Sequence, residues 1–344
     1  MTPHEEILQQ PEVLRRLFAT QHPTAAAVAR QWRDAAPTHV VIAARGTSDN
    51  AARYAQYLWG QRARLTVGLA APALFAEGTP SPRLDGAVVV GISQSGASPD
   101  LVAVLAEARR QGRPTLAITN EPASPLAEVA DQVLALGAGP ERAVAATKTY
   151  TAQLGAVALI AAALAPADDG DDLGRVPDAV ASALADEAVV AEVAARWADF
   201  DRCAVLGRAT GLATAHEWAL KLQELAYVLA QPASPADFAH GPRAVVEPDF
   251  PVLAVATDGR WLAGMLDTLA GLRQQGARTL VLADRPEHVR HVADDVLAVP
   301  GGVAEWLSPI VAIVAAQLWC LHVTVARGGD PESPRGLTKV TRTR

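Results

Sequence analysis

Along the chain, short uninterrupted apolar runs alternate with longer stretches of helical spacing. "HVVIAA" (39–44), "RLTVGLA" (64–70), "GAVVVGI" (86–92), "PTLAITN" (114–120) and "DQVLALG" (131–137) have the length and content of buried strands. "DNAARYAQYLWGQR" and "LVAVLAEARRQG" between them have helical periodicity, and a long apolar helix is predicted over about 147–165. Residues 1–35 also read as helical, with Pro11 interrupting the first segment. Alternation of this kind predicts βαβ crossovers and a parallel sheet covered on both faces.

The pattern then recurs. "RCAVLGR" (202–208) resembles "HVVIAAR" in position and pattern, and a single helix, "ATAHEWALKLQELAYVLA" (213–230), is predicted after it. "PVLAVAT", "RTLVLAD" and "DVLAVPG" read as further strands, "LAGMLDTLAGLRQQG" as a helix, and "SPIVAIVAAQLWCLHVTVA" as a closing apolar helix. The acidic breaker "PADDGDDLGR" (166–175) marks a boundary. The expected organisation is α/β with two tandem, doubly wound parallel domains: a helical segment 1–35, a first domain 36–170, a helical connector 171–197, a second domain 198–330 and a tail 331–344.

Composition narrows the classes. A net charge of −7 argues against a nucleic-acid binder. Cys203 and Cys320 form no CxxC pair and read as buried, reduced thiols in a cytoplasmic protein. The polar N-terminus "MTPHEEILQQPEVL" does not read as a signal peptide. The two apolar helices carry Gln153, Gln317 and His322, so both are expected inside cores rather than in a membrane.

Chemistry is expected where strands end. In parallel sheets, ligands sit beyond the carboxyl ends of the strands, near the switch point. Arg45-Gly46-Thr47-Ser48, Ser93 to Ser98 and Thr119-Asn120 would all lie there. "GISQSGASPD" (91–100) brings three serines and Gly96 to a helix start at Ser98-Pro99, which suits an anion such as phosphate. An ordinary polar loop that caps its helix would look similar, but two hydroxyl-rich loops on one edge favour the phosphate cradle. No GxGxxG and no Walker lysine loop occur, so dinucleotide or ATP chemistry is unsupported. His216-Glu217 fails the HExxH pattern because position 220 is Leu, and His288 and His291 read as an exposed helix start, so no metal and no cofactor are expected.

"RGTS" (45–48), "SQSGAS" (93–98), "AITN" (117–120), "ERAVAATKTYTAQL" (141–154), "LGRATGLATAHEWALKLQELAYVLAQPASPADFAHGPRAVV" (206–246) and "PRGLTKVT" (334–341) together resemble the sugar isomerase (SIS) family. Within it, the chain is similar to the isomerase half of glutamine–fructose-6-phosphate aminotransferases and their stand-alone relatives. The resemblance implies two SIS domains, each a five-stranded parallel sheet between helices, and a homodimer. It implies phosphate contacts at Ser48, Ser93, Gln94, Ser95 and Ser98, and sugar contacts at Thr47 and Ala145. It places Lys221 near the sugar and among the catalytic groups. It matches Glu224 to a proton-transfer carboxylate, His240 to a ring-opening imidazole contributed across the dimer interface, and Lys339 to an imine-forming lysine on a mobile tail.

These residue types suit the chemistry. Moving a carbonyl between C1 and C2 of a sugar requires ring opening and abstraction of a proton beside a carbonyl. A carboxylate in an apolar setting and an imidazole are natural groups for these steps. Glu217, Lys221 and Glu224 share one helix face at spacings of four and three. A surface ladder of ion pairs has the same spacing, worth about 0.3–0.5 kcal/mol a pair. The chain departs from the synthase pattern at Ala97, Ser98, Leu229 and Gln231, and with no cysteine before 203 the glutaminase domain is expected to be absent. The expected activity is conversion of glucosamine 6-phosphate to fructose 6-phosphate and ammonia. The alternatives are cleavage of fructosamine phosphates, an isomerase subunit with separate ammonia delivery, or a sugar-phosphate sensor without turnover.

Overall fold

A computed structural model describes residues 1–165 and 172–339. Most of the predicted breaker 166–175 and the last residues of the tail lie outside this range. Contacts divide the chain into two compact units. One comprises Glu12–Glu141, Lys148–Gly174 and Thr338–Arg344; the other comprises Met1–Pro11, Arg142–Thr147 and Arg175–Leu337. The N-terminal segment forms α1 (Pro3–Leu8), closed at its start by a Thr2–Glu5 capping box, and α2 (Gln10–Ala35). Pro11 sits in the first turn of α2, where its missing N–H costs little.

The first unit runs β1 (His39–Ala43), α3 (Thr47–Arg62), β2 (Thr66–Leu69), β3 (Ala87–Ser93), α4 (Pro99–Arg110), β4 (Thr115–Thr119), α5 (Pro125–Val129), β5 (Gln132–Ala135) and α6 (Lys148–Leu164). All pairings are parallel and the order is β2-β1-β3-β4-β5. The direction of winding reverses between β1 and β3, so the switch point falls where the "RGTS" and "SQSGAS" loops emerge. Every residue of β3 and β4 is buried, as central strands covered on both faces require. Trp59 donates to the Val157 carbonyl of α6 at 3.0 Å and meets Trp32 of α2 edge-to-face, which ties α2, α3 and α6 together.

In the second unit, α7 (Val176–Ala185) and α8 (Glu187–Arg196) form the helical connector. They lead to β6 (Arg202–Leu206), α9 (Gly211–Lys221), β7 (Leu229–Ala233), α10 (Pro235–Ala239), β8 (Pro251–Val255), α11 (Leu262–Gln274), β9 (Arg278–Ala283), α12 (Pro286–Val289), β10 (Asp295–Ala298) and α13 (Ser308–Ala326). The order is β10-β9-β8-β6-β7, again all parallel, with the switch point between β6 and β8. The stretch Glu305–Ala326 is long and apolar enough to span a membrane, yet 83% of its apolar window is buried within the fold. Trp319 of α13 packs edge-to-face on Trp218 of α9 and stacks on Phe200.

The predicted helix 213–230 is not continuous. It leaves α-geometry at Leu222, passes through a wide π-turn over Leu222–Ala226, and stops at Tyr227, whose φ is +58°. The rest becomes the fifth strand, β7, which pairs only with β6. Pro232 is tolerated there because an edge strand leaves one side of its backbone unpaired.

Candidate active site

The two hydroxyl-rich loops emerge at the switch point, where the sequence positions them, and two features differ from the expected arrangement. Gly96 turns the loop with φ +60°, and a Cβ there would lie 2.0 Å from Ser124 Oγ, so a side chain is excluded. Buried Ser93 accepts the Gly96 N–H at 3.1 Å, and Ser95 accepts the Ala97 N–H at 3.3 Å. Gln94 is half-buried, and its carbonyl accepts the Asn120 N–H at 3.2 Å. Ser98 stands at the N-cap of α4, but its hydroxyl does not cap the helix, which is the first difference. Across the switch point, Thr47 begins α3 and buried Ser48 accepts from Gln153 Nε2 at 2.9 Å. Arg45 is paired with Asp100 at 2.8 Å, tying the two loops together.

Thr119 and Asn120 brace the cradle rather than open to it, which is the second difference. Asn120 donates to the Gly139 carbonyl at 2.9 Å and accepts the Ala138 N–H at 2.8 Å. Thr119 Oγ1 accepts the Glu121 N–H at 3.2 Å. Asp49, in the first turn of α3, has its carboxyl raised by burial, a shift that Arg53 only partly opposes.

The tail lysine is docked, not loose. Lys339 Nζ donates to Glu141 Oε2 at 3.0 Å, and the Glu141 side chain is fully buried. The same carboxylate accepts the Thr149 N–H at 3.1 Å and the Thr149 hydroxyl at 2.7 Å. Nothing in the sequence singled out Glu141; its acidity beside Lys148 in "ERAVAATKTY" was the available signal.

In the other unit, Lys221 and Glu217 are almost completely buried, so the exposed-ladder reading fails. Lys221 Nζ lies 3.3 Å from Glu217 Oε1 and donates a short hydrogen bond to Glu224, which remains partly accessible on the π-turn. Burial opposes the Lys221 charge, but the two carboxylates outweigh it and hold the ammonium above its ordinary range. A fixed cation beside Glu224 can steady negative charge developing on a sugar oxygen while Glu224 handles a proton. The geometry suits a general base because Glu224, on the π-turn, stays partly accessible while it is bonded to the buried Lys221.

His240 ends α10 and is exposed, and among the described residues its ring has no hydrogen-bond partner. Ala145 is buried in the loop 142–147. That loop is pinned by buried Glu6 of α1, whose carboxylate accepts the Arg142 and Ala143 N–H groups, and by Gln317, which donates to the Thr147 carbonyl at 3.3 Å. Within its unit the structure therefore joins Lys221 with Glu224, and within the other unit Lys339 with Glu141. Among the described residues no cluster of three metal-type ligands occurs.

Comparison with known proteins gives a consistent result. Residues 35–163 and 198–327 match the SIS domain. The chain is 33% identical to a glutamine–fructose-6-phosphate aminotransferase of Thermococcus kodakarensis, over 97% of this chain and 57% of that protein. It thus spans little more than half the length of that relative. The C-terminal domain of the Francisella tularensis glucosamine-fructose-6-phosphate aminotransferase superposes with a TM-score of 0.87 at 26% identity, covering 96% of this chain and 98% of that one. Glucosamine-6-phosphate deaminase of Thermotoga maritima shares the fold, with a TM-score of 0.76 at 20% identity over the full length of both chains.

Proposed function

Because the chain belongs to the SIS domain family, we propose that it is a phosphosugar isomerase whose substrate is an amino-sugar phosphate. The specific reaction is glucosamine 6-phosphate to fructose 6-phosphate and ammonia. The observation that carries this reading is the Glu217–Lys221–Glu224 array: two nearly buried charges holding a partly accessible carboxylate. A binding protein needs no such arrangement, whereas proton transfer beside a carbonyl does.

The roles follow from the chemistry of the groups. Hydroxyls of Ser48, Ser93, Ser95 and Ser98, with Gln94, hold the phosphate. Thr47 and the Ala145 loop contact the sugar. His240, supplied by the second subunit of a homodimer, opens the hemiacetal ring by moving the proton between O1 and O5. Glu224 removes the C2 proton of the open aldose and returns it to C1, with Lys221 steadying the oxygen charge. The resulting C2 imine takes up water, loses ammonia and leaves the ketose. Lys339 acts at the carbonyl once it leaves Glu141. The exposed, unpartnered ring of His240 supports a role outside its own chain.

The test is a panel of amino-sugar and fructosamine phosphates, scored for ammonia or amine release and for ketose phosphate. Ammonia and fructose 6-phosphate from glucosamine 6-phosphate are expected. Amine release from fructosamine phosphates alone would move the substrate, and binding without turnover of any of them would make the protein a sensor.

A further inference from the structure

We infer that Tyr227 is a positioning residue for the reaction proposed above: it clasps the chain at Arg335 and fixes the point from which Lys339 swings. The role of Lys339 rests on that reading, whereas the clasp is measurable without any substrate.

Tyr227 has a backbone that its residue type disfavours. Its φ of +58° and ψ of +31° lie in the left-handed region, where a bulky side chain is an outlier. Such a conformation persists only where the surroundings over-determine it, and it often marks a functional constraint. Here the surroundings are firm. The Tyr227 and Val228 N–H groups both return to the Leu222 carbonyl, and the Leu229 N–H bonds the Asp201 carbonyl at 2.8 Å as β7 begins. Gln223 Nε2 donates to the Ala230 carbonyl at 2.7 Å, closing the π-turn onto that strand. Tyr227 is therefore fixed to the turn that carries Glu224, three residues before it.

The side chain is 38% exposed, so core packing does not account for the strained backbone. What it does hold is the tail. The phenol oxygen accepts the Arg335 N–H at 2.8 Å, and the Arg335 guanidinium lies 4.3 Å from the centre of the same ring. One side chain thus grips both the backbone and the charged end of one tail residue. Gly336 follows at φ +73°, with open space where a side chain would stand, and Leu337 and Thr338 are exposed. The chain is held through Arg335 and is freest to pivot at Gly336. Lys339 lies four residues beyond Arg335, a reach of at most about 14 Å. An ammonium that leaves Glu141 stays on that short tether, and a short tether keeps a group at a high local concentration. The tether starts from the π-turn of Glu224, so Tyr227 sets the origin of the swing.

Tyr227→Phe removes only the phenol oxygen, and Tyr227→Ala removes the ring as well. Both variants and wild type are digested with trypsin in the absence of substrate and assayed for turnover of glucosamine 6-phosphate, with urea midpoints to check folding. Cleavage after Arg335 is expected to rise about fivefold in Tyr227→Phe and further in Tyr227→Ala. The kcat is expected to fall in the same order, with KM unchanged, because no contact with bound substrate is lost. A residue with a merely structural role would lower the urea midpoint and leave kcat of the folded chain as it was. Unchanged cleavage in both variants would show that there is no clasp. Faster cleavage with unchanged kcat would show a clasp that positions nothing, and in either case Tyr227 is not a positioning residue. Absence of turnover in wild type reads differently: it removes the proposed reaction, and the positioning role with it, while the cleavage rates still decide whether Tyr227 holds the tail.

Discussion

Lys339 Nζ lies 3.0 Å from Oε2 of the fully buried Glu141, so the last described residue of the tail is anchored by a charge inside the first unit. The same carboxylate also holds Thr149, which begins α6 with Lys148. Tail position and the start of α6 thus depend on one group. Replacing Glu141 with Gln keeps the size and removes the charge. Trypsin is expected to cut after Arg335 or Lys339 several times faster in this variant, and turnover is expected to fall. An unchanged cleavage rate would mean that the tail is held by something else.

The buried pair at α9 predicts an asymmetric mutational response. Lys221→Met removes the cation 3.3 Å from buried Glu217, and breaking a buried pair from one side costs about 3–5 kcal/mol. Glu224→Gln removes the partly accessible partner and is expected to cost much less. Urea unfolding of both variants measures the difference. Equal losses would contradict the view that Glu217 and Lys221 form the structural core of the array.

Gly96 is expected to resist any side chain. Gly96→Ala places a methyl on Ser124 at a positive φ, and a backbone held in such a region costs about 1–3 kcal/mol. If the loop relaxes to relieve this, phosphosugar affinity falls about tenfold for each 1.4 kcal/mol. Titration with fructose 6-phosphate checks it; undiminished affinity would show that the loop does not hold phosphate.

Glu187 supplies a pH dependence with a definite sign. Its carboxylate accepts from His4 at 2.9 Å and from His322 at 2.9 Å, joining α1, α8 and α13. Burial works to raise its pKa, but the two histidine hydrogen bonds prevail and the net shift is downward. A carboxyl with a depressed folded pKa adds stability above its unfolded value of about 4.3 and loses it as pH falls through the folded value. Wild type is therefore expected to lose stability more steeply than Glu187→Gln below about pH 4.5, measured by urea midpoints across pH 7 to 3. Parallel curves would show that the contact is neutral.

The two α/β units were legible because their strands are apolar runs of the right length, bounded by clear helix starts. The π-turn and β7 were not. "KLQELAYVLAQPAS" keeps helical spacing through Leu222, Leu225 and Ala226, and only the left-handed Tyr227 breaks it. Pattern alone favours continuation, whereas the free edge of β6 makes a strand of 229–233 more stable. The serine loops were legible by composition and position. The supports behind them were not: Gln153 on Ser48, Glu141 under Lys339 and Glu6 under the loop 142–147 are contacts between residues 105, 198 and 136–137 positions apart. No local pattern encodes such pairs.

The central claim is proton transfer between adjacent sugar carbons by Glu224. The direct measurement is incubation of glucosamine 6-phosphate with the protein in deuterium oxide, followed by NMR of the sugar carbons. Deuterium at C1 of the fructose 6-phosphate formed, or washed into C2 of recovered substrate, is expected from wild type. The folded Glu224→Gln variant is expected to lose this exchange by about 100-fold or more. Exchange that persists at the wild-type rate in that variant, or its absence from wild type with every phosphosugar tried, would contradict the account.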